Sequence, residues 1–320
     1  MDVFRLLPPA DQRQPCALTI GNFDGVHRGH QAVLAALRQR ADALGVPACV
    51  LTFEPHPREY FAELTGQPEQ APVRILTERD KLDALAAHGV DRVCIAHFNA
   101  SMATLPAEDF IDKILVEGLQ ARHLLIGDDF RFGARRRGDF AMLQQAASHH
   151  GFELARMDTV ADEHGRISSS SVRKALGAGD FDLARRLLGR PYFISGHVIP
   201  GRQLGRTLGF PTLNIRIPFS RPAVHGVFVV QVHGVADTPW PAVASLGSRP
   251  AVERDGKLLL EVHLFDYSGD LYGRLLRVEF LKQLREERHY DSLDALTAQI
   301  DRDAQDARDF FARRTADTPG

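Results

Sequence analysis

Cysteine is scarce in this chain: three residues in 320, and Cys16, Cys49 and Cys94 lie far apart. No C-x-x-C pair and no Cys/His ligand spacing occurs, so a disulfide framework and a structural zinc site are unsupported. Each cysteine sits in or beside an apolar run and reads as a buried small hydrophobe in a reducing compartment. A run of 18 or more apolar residues is missing, and a membrane-spanning helix with it. The opening residues, MDVFRLLPPADQRQ, lack the apolar stretch of a signal peptide. A cytoplasmic location with no membrane partner is therefore expected. Charge of one sign is also missing: the formal net charge is −2, which argues against a nucleic-acid partner. One local basic cluster (Arg131, Arg135, Arg136, Arg137) sits beside glycines, where a solvated loop and a phosphate contact both fit. Neither G-x-G-x-x-G nor G-x-x-x-x-G-K-[ST] is present, which removes the dehydrogenase and P-loop readings. There is no internal repeat, and the one biased segment is the serine run at 168–171.

What is there is a globular composition, 44% apolar and 25% charged, on a chain long enough for two domains. The first half alternates apolar runs with helical spacing. Strands are expected at Cys16–Ile20, Ala48–Phe53, Arg92–Phe98, His123–Gly127 and Phe152–Met157. Helices are expected at Gly29–Leu44, Thr77–His88 with Thr77 as N-cap, after Pro106, and near Asp139–His149. This alternation implies a parallel sheet covered on both faces. After a short helix at Phe181–Leu188, Gly189-Arg190-Pro191 reads as a link. Six short strands follow without intervening helices, near 192–199, 212–217, 226–233, 241–246, 258–266 and 275–281, and imply an antiparallel barrel. A long amphipathic helix, Ser292–Arg314, closes the pattern.

Two segments carry most of the chemistry. GNFDGVHRGH (21–30) follows a strand and runs into a helix. Gly21, Gly25 and Gly29 allow tight turning and close backbone approach. Free N–H groups at the helix start favour phosphate, and His27 and His30 can donate to phosphate oxygens as charge develops in nucleotidyl transfer. GRTLGFPTLN (205–214) offers Gly205 and Gly209 for a loop over phosphates, and Thr212 and Asn214 two residues apart. On a strand that spacing puts both oxygens on one face, which suits Mg²⁺ shared with ATP; an ordinary turn and strand fit as well. GDDFRFG (127–133) and ISSSSVR (167–173) fall at loops where an open α/β sheet binds ligands. For the serine run, helix capping and contact with a triphosphate tail both fit. FEPHP (53–57) fits both a flat pocket for an aromatic ring and a rigid turn. Glu261 alternates with Leu258, Leu260, Val262 and Leu264, as a surface residue on an edge strand also would.

Together these segments resemble the prokaryotic bifunctional riboflavin kinase/FAD synthetase family over essentially the whole chain. The resemblance implies an N-terminal Rossmann-like FMN adenylyltransferase domain at 1–186. It also implies a riboflavin kinase domain at 187–320, a six-stranded antiparallel barrel with a terminal helix. It makes His27 and His30 the H-x-G-H signature, and assigns Ser168, Ser169 and Arg173 to a loop closing over ATP phosphates. Gly21, Asn22, Phe23, Asp24, Gly25 and Asp129 fall at family positions near nucleotide and flavin. In the second half it assigns Gly205, Arg206, Gly209, Phe210, Pro211 and Arg249 to ATP and flavin, Thr212 and Asn214 to Mg²⁺, and Glu261 to the catalytic base. Implied substrates are riboflavin, FMN and ATP, with ATP and Mg²⁺ at both sites, in a monomer or weak homo-oligomer. The chain departs from the family's usual residues at Leu213 (Ala), Ser245 (Asn) and Ala251 (Thr); the last two changes remove side-chain hydrogen-bonding capacity and predict weaker binding rather than inactivity. The rival readings are a nucleotidyltransferase for another phosphorylated acceptor, such as a pantetheine or nicotinate nucleotide, and a flavin- or nucleotide-binding protein without turnover.

Overall fold

The computed structural model describes residues 1–158, 160–162, 165–201, 209–219, 221–247 and 258–316. Two compact units form: Met1–Pro72 with Lys81–Ser168, and Val73–Asp80 with Ser169–Gly320.

The first unit is built on a six-stranded parallel sheet. Its strands are β1 (Asp2–Arg5), β2 (Cys16–Ile20), β3 (Ala48–Glu54), β4 (Arg92–His97), β5 (Ala121–Gly127) and β6 (Glu153–Met157), in the order β1-β4-β3-β2-β5-β6, and a short antiparallel pair, β7 (Ala161–Asp162) and β8 (Gly165–Arg166), follows β6 in the chain. Its helices are α1 (Arg28–Leu44), α2 (Pro57–Leu64), α3 (Glu78–Ala87, which begins in the second unit), α4 (Ala100–Ala103), α5 (Ala107–Asp109) and α6 (Phe140–His150). All five β2 residues are buried, as expected of a strand covered on both faces. Leu37 and Ala41 of α1 pack against Ala17 and Leu125, while Leu18, Leu51 and Leu124 share a cluster with Leu115 and Leu143. Helix ends follow local chemistry: Gly45 takes the left-handed conformation after α1, and Thr77 Oγ1 accepts from Asp80 N at 3.0 Å. Cys16, Cys49 and Cys94 are 2%, 2% and 0% exposed on three neighbouring strands. The adjacent Cys16 thiol and burial push the Cys49 thiol well up, so its sulfur is an unreactive packing atom.

Three features were not read from sequence. β1 pairs in parallel with β4 at the sheet edge. FEPHP leads directly into α2, with Pro57 in its first turn and His56 and Glu59 forming a capping box. The helix after Pro106 holds α geometry only through Asp109 and continues as a π-helical stretch, Phe110–Gly118.

The second unit contains α7 (Ser169–Gly177), α8 (Phe181–Leu188) and strands β9 (Phe193–Ile199), β10 (Leu213–Ile217), β11 (Gly226–His233), β12 (Trp240–Leu246), β13 (Leu258–Leu264) and β14 (Leu275–Arg285). The strands close an antiparallel barrel in the order β10-β13-β12-β11-β14-β9, which leaves no open edge. A terminal helix, α9 (Leu293–Ala316), lays Ala304 and Ala307 on Val227, Val229 and Val243. Asp303, 4% exposed, accepts three hydrogen bonds from Arg285, at 2.9, 3.1 and 2.7 Å, and anchors that helix. The Gly189–Pro191 segment lies inside this unit, followed by Tyr192, whose ring packs on Phe181 and Phe280.

Candidate active sites

In the parallel sheet, β2 and β5 are neighbours whose connections leave in opposite directions, so the topological switch point falls between their carboxyl ends. The 21–30 loop leaves β2 there, and Asp129 follows β5 beside it. The loop turns sharply: Phe23 (φ 48°), Gly25 (φ 93°) and Val26 (φ 39°) are all left-handed. For a β-branched valine this conformation costs about 1–3 kcal/mol. Phe23 and Val26 are 3% and 0% exposed, so packing holds the strained turn in place.

His27 caps α1, its Nδ1 accepting from His30 N at 3.3 Å. With Nδ1 accepting, a neutral His27 carries its proton on Nε2. The two imidazoles stack with centroids 3.7 Å apart and planes 18° apart. A Cβ on Gly29 would lie 3.1 Å from both His27 Nδ1 and Ile167 O. That contact explains the glycine and brings the backbone just before Ser168 against the helix start. Gly21 likewise leaves room for the Phe23 ring, 3.2 Å from a hypothetical Cβ. Asp24 is buried, and Asp129 is exposed and paired with Arg166 at 3.1 Å. Ser169 and Arg173 belong to the other compact unit, where Arg173 Nε donates to Val73 O at 2.7 Å.

In the barrel the constellation is set by register. Asn214 of β10 pairs with Glu261 of β13, and Glu261 pairs with Ser245 of β12, so the three side chains form one row across three strands. Asn214 is 8% exposed, and its amide fills the space a Cβ on Gly201 would need. Burial first, and then the charge of Glu287, push the Glu261 carboxyl up from its ordinary range. Glu287 reaches Ser245 Oγ at 3.5 Å. His263 Nδ1 donates to Pro211 O at 2.9 Å, and the Phe210 ring meets the His263 ring edge to face at 5.5 Å, which ties the start of the Pro-Thr-x-Asn segment to β13. Half-buried Thr212 and exposed Gly209 precede β10. Gly205, Arg206, Arg249 and the departure at Ala251 lie outside the described residues.

Among the described residues no three His, Cys, Asp or Glu side chains gather to hold a metal. The hydroxyl of Thr212 and the amide of Asn214 are hard oxygen donors, and with nucleotide phosphates completing the shell they fit Mg²⁺, which commonly keeps few protein ligands. Two residues of consequence, Lys81 and Gly201, escaped sequence reading. The one signal for Lys81 was a charge next to the apolar positions of α3.

A strained strand-to-helix loop on a parallel sheet and, in the same chain, a barrel with a carboxylate–amide row fit a two-site phosphotransfer protein. Family models agree: FAD synthetase matches residues 10–171 and riboflavin kinase matches residues 188–311. The bifunctional riboflavin kinase/FMN adenylyltransferase of Pseudomonas fluorescens is 50% identical over 94% of each chain. That of Escherichia coli K12 is 46% identical over 93% of this chain and 94% of its own. A solved structure described as a macrolide-efflux protein from Streptococcus pneumoniae superposes with TM-score 0.75 at 28% identity, covering 96% of this chain and 99% of that one. No helix among the described residues is long and apolar enough to cross a membrane. The chain belongs to the bifunctional riboflavin kinase/FMN adenylyltransferase family and carries both of its transferase domains.

Proposed function

We infer that the barrel unit phosphorylates riboflavin to FMN, and that the parallel-sheet unit adenylylates FMN to FAD with release of pyrophosphate, both from ATP. The observation that supports this most is the pair of differently built residue sets, the His27–His30 loop at the start of α1 and the Asn214–Glu261 pair on the barrel, each inside its own family match. By chemistry the functional boundary falls at 186/187, with the adenylyltransferase at 1–186 and the kinase at 187–320.

In the kinase reaction Glu261 accepts the proton of the ribityl 5′-hydroxyl as that oxygen attacks the γ-phosphorus and the bond to ADP breaks. A raised pKa suits a base for this proton better than an ordinary glutamate would. Thr212 and Asn214 hold Mg²⁺, which neutralises phosphate charge when bound. Gly205, Arg206, Gly209, Phe210, Pro211 and Arg249 complete the ATP and flavin contacts.

In the adenylyl transfer an FMN phosphate oxygen attacks the α-phosphorus and pyrophosphate departs, so no protein nucleophile is needed. His27 and His30 donate to the phosphate oxygens, and the α1 N-terminus stabilises developing charge. Gly21, Asn22, Phe23, Asp24, Gly25 and Asp129 shape the nucleotide and flavin pocket, while Ser168, Ser169 and Arg173 bind the triphosphate. Mg²⁺ accompanies ATP here as well. The protein works in the cytoplasm as a monomer or weak homo-oligomer.

Chromatography of flavins after incubation with ATP and Mg²⁺ tests the reading. Riboflavin is expected to yield FMN and then FAD, and FMN to yield FAD. FAD from FMN with no product from riboflavin would mean a disabled kinase site, and no product from either would redirect attention to other phosphorylated acceptors.

A further inference from the structure

Lys81 on α3 is 3% exposed. A buried ammonium is costly and is kept where its hydrogen bonds do something specific. Its Nζ lies 3.5 Å from Thr52 Oγ1 and 4.0 Å from Glu54 Oε2, both at the carboxyl end of β3. Thr52, 0% exposed, has its Oγ1 3.3 Å from the main-chain oxygen of Asn22. Asn22 is the second residue of the strained loop leaving β2.

Chemistry fixes the direction of this chain of contacts. An ammonium only donates and a carbonyl only accepts, so the hydroxyl between them must accept from Lys81 and give its proton to Asn22 O. The lysine thus removes the alternative in which Thr52 turns its proton elsewhere. With Asn22 O held against β3, the planar trans peptide turns the Phe23 N–H to the opposite side. That N–H has no hydrogen-bond partner among the described residues. The next residue, Phe23, opens the left-handed turn that delivers His27 and His30.

We propose that Lys81 is a positioning residue for adenylyl transfer, acting through Thr52 to hold the Asn22–Phe23 peptide in its productive orientation. The inference rests on the reading of residues 21–30 as the adenylyltransferase site. Glu54, with its side chain about one-third exposed at 32%, balances part of the buried charge from 4.0 Å away. Because the relay orients a donor rather than binding substrate, its loss acts on turnover more than on ground-state affinity.

Steady-state FAD formation from FMN and ATP is measured for Lys81→Met, Lys81→Arg, Thr52→Val and His30→Ala, with FMN formation from riboflavin measured on the same preparations. Lys81→Met is expected to lower kcat for FAD formation about 10- to 100-fold while KM for FMN stays within about twofold. FMN formation stays at the wild-type rate, and Lys81→Arg restores part of the loss. Thr52→Val, which removes the relay hydroxyl at nearly constant shape, moves kcat in the same direction and keeps the inference testable if Lys81→Met does not fold. An unchanged kcat in Thr52→Val, or a fall of both activities in step, overturns the proposal. If His30→Ala abolishes FAD formation while Lys81→Met and Thr52→Val leave kcat intact, the site reading stands and the relay is wrong. If His30→Ala is active, the site reading fails and the relay with it.

Discussion

The two proposed sites use opposite materials for the same task, holding a nucleotide's phosphates still. In the parallel-sheet unit the site is backbone: a loop with three left-handed residues, a helix start, and glycines whose missing Cβ atoms let His27 and Ile167 close in. In the barrel the site is side chains in register, Asn214–Glu261–Ser245, carried on paired strands. A loop site depends on conformations that side-chain packing must impose from outside, whereas a ladder site inherits its geometry from main-chain hydrogen bonds. The first should therefore be sensitive to loop substitutions, and the second to anything that shifts register or fills the row.

The largest expected effect separates the two outright. His30→Ala lowers FAD formation by about 10³-fold or more and leaves FMN formation intact, and Glu261→Gln does the reverse when each flavin is supplied separately. Loss of both activities in either folded variant would end the comparison. Next is Asp303→Ala, which strips Arg285 of a buried partner and destabilises the barrel by about 3–5 kcal/mol. The chain's one tryptophan, Trp240, lies in β12 and donates to Phe265 O at 2.7 Å, so urea titration followed by its fluorescence reads the barrel. Gly201→Ala should then cost FMN formation about 10- to 100-fold, because the new methyl needs the space of the Asn214 amide. Its counterpart Gly29→Ala should cost FAD formation less, on the order of tenfold, since an excess contact at 3.1 Å is relieved by small shifts. Equal losses in the two alanine variants would show that loop and ladder are equally rigid.

The smallest effect is one of pH. Burial lowers the pKa of His123 despite Glu153 at 3.2 Å. The unfolded chain therefore takes up the proton first, and stability falls as pH drops through the ordinary histidine range toward the lowered folded value. His123→Gln should flatten that decline in far-UV dichroism. An unchanged slope would show that the decline arises elsewhere.

Most of the architecture was legible because periodicity and punctuation agreed. Gly45, Thr77, Asp139 and Gly189 all stand at helix ends where a capping residue belongs, and the buried alternation of β13 matches the pattern of Leu258 to Leu264. What stayed hidden depends on partners remote in sequence. β1 exists because β4 offers it a parallel edge. The π-helical stretch after Asp109 has no local signature. Of the sites, the types of residue were readable, but the row joining Asn214, Glu261 and Ser245 needed a register no single strand encodes. Nothing in the sequence around Lys81 announces its contact with Thr52, or that of Thr52 with Asn22, since both join segments remote in the chain.

The second unit draws on two separate stretches of sequence, because Val73–Asp80 belongs with the barrel rather than with the sheet that flanks it in the chain. Arg74 N donates to Arg221 O at 2.7 Å, and Asp80 Oδ2 accepts from Ser195 N at 3.1 Å. A gene split between the two activities would thus hand the kinase half an incomplete body, with the Ser195 amide stripped of its acceptor. Fusion here is a property of the fold as well as of the reading frame, and separating the two enzymes would call for transplanting that short stretch along with the barrel.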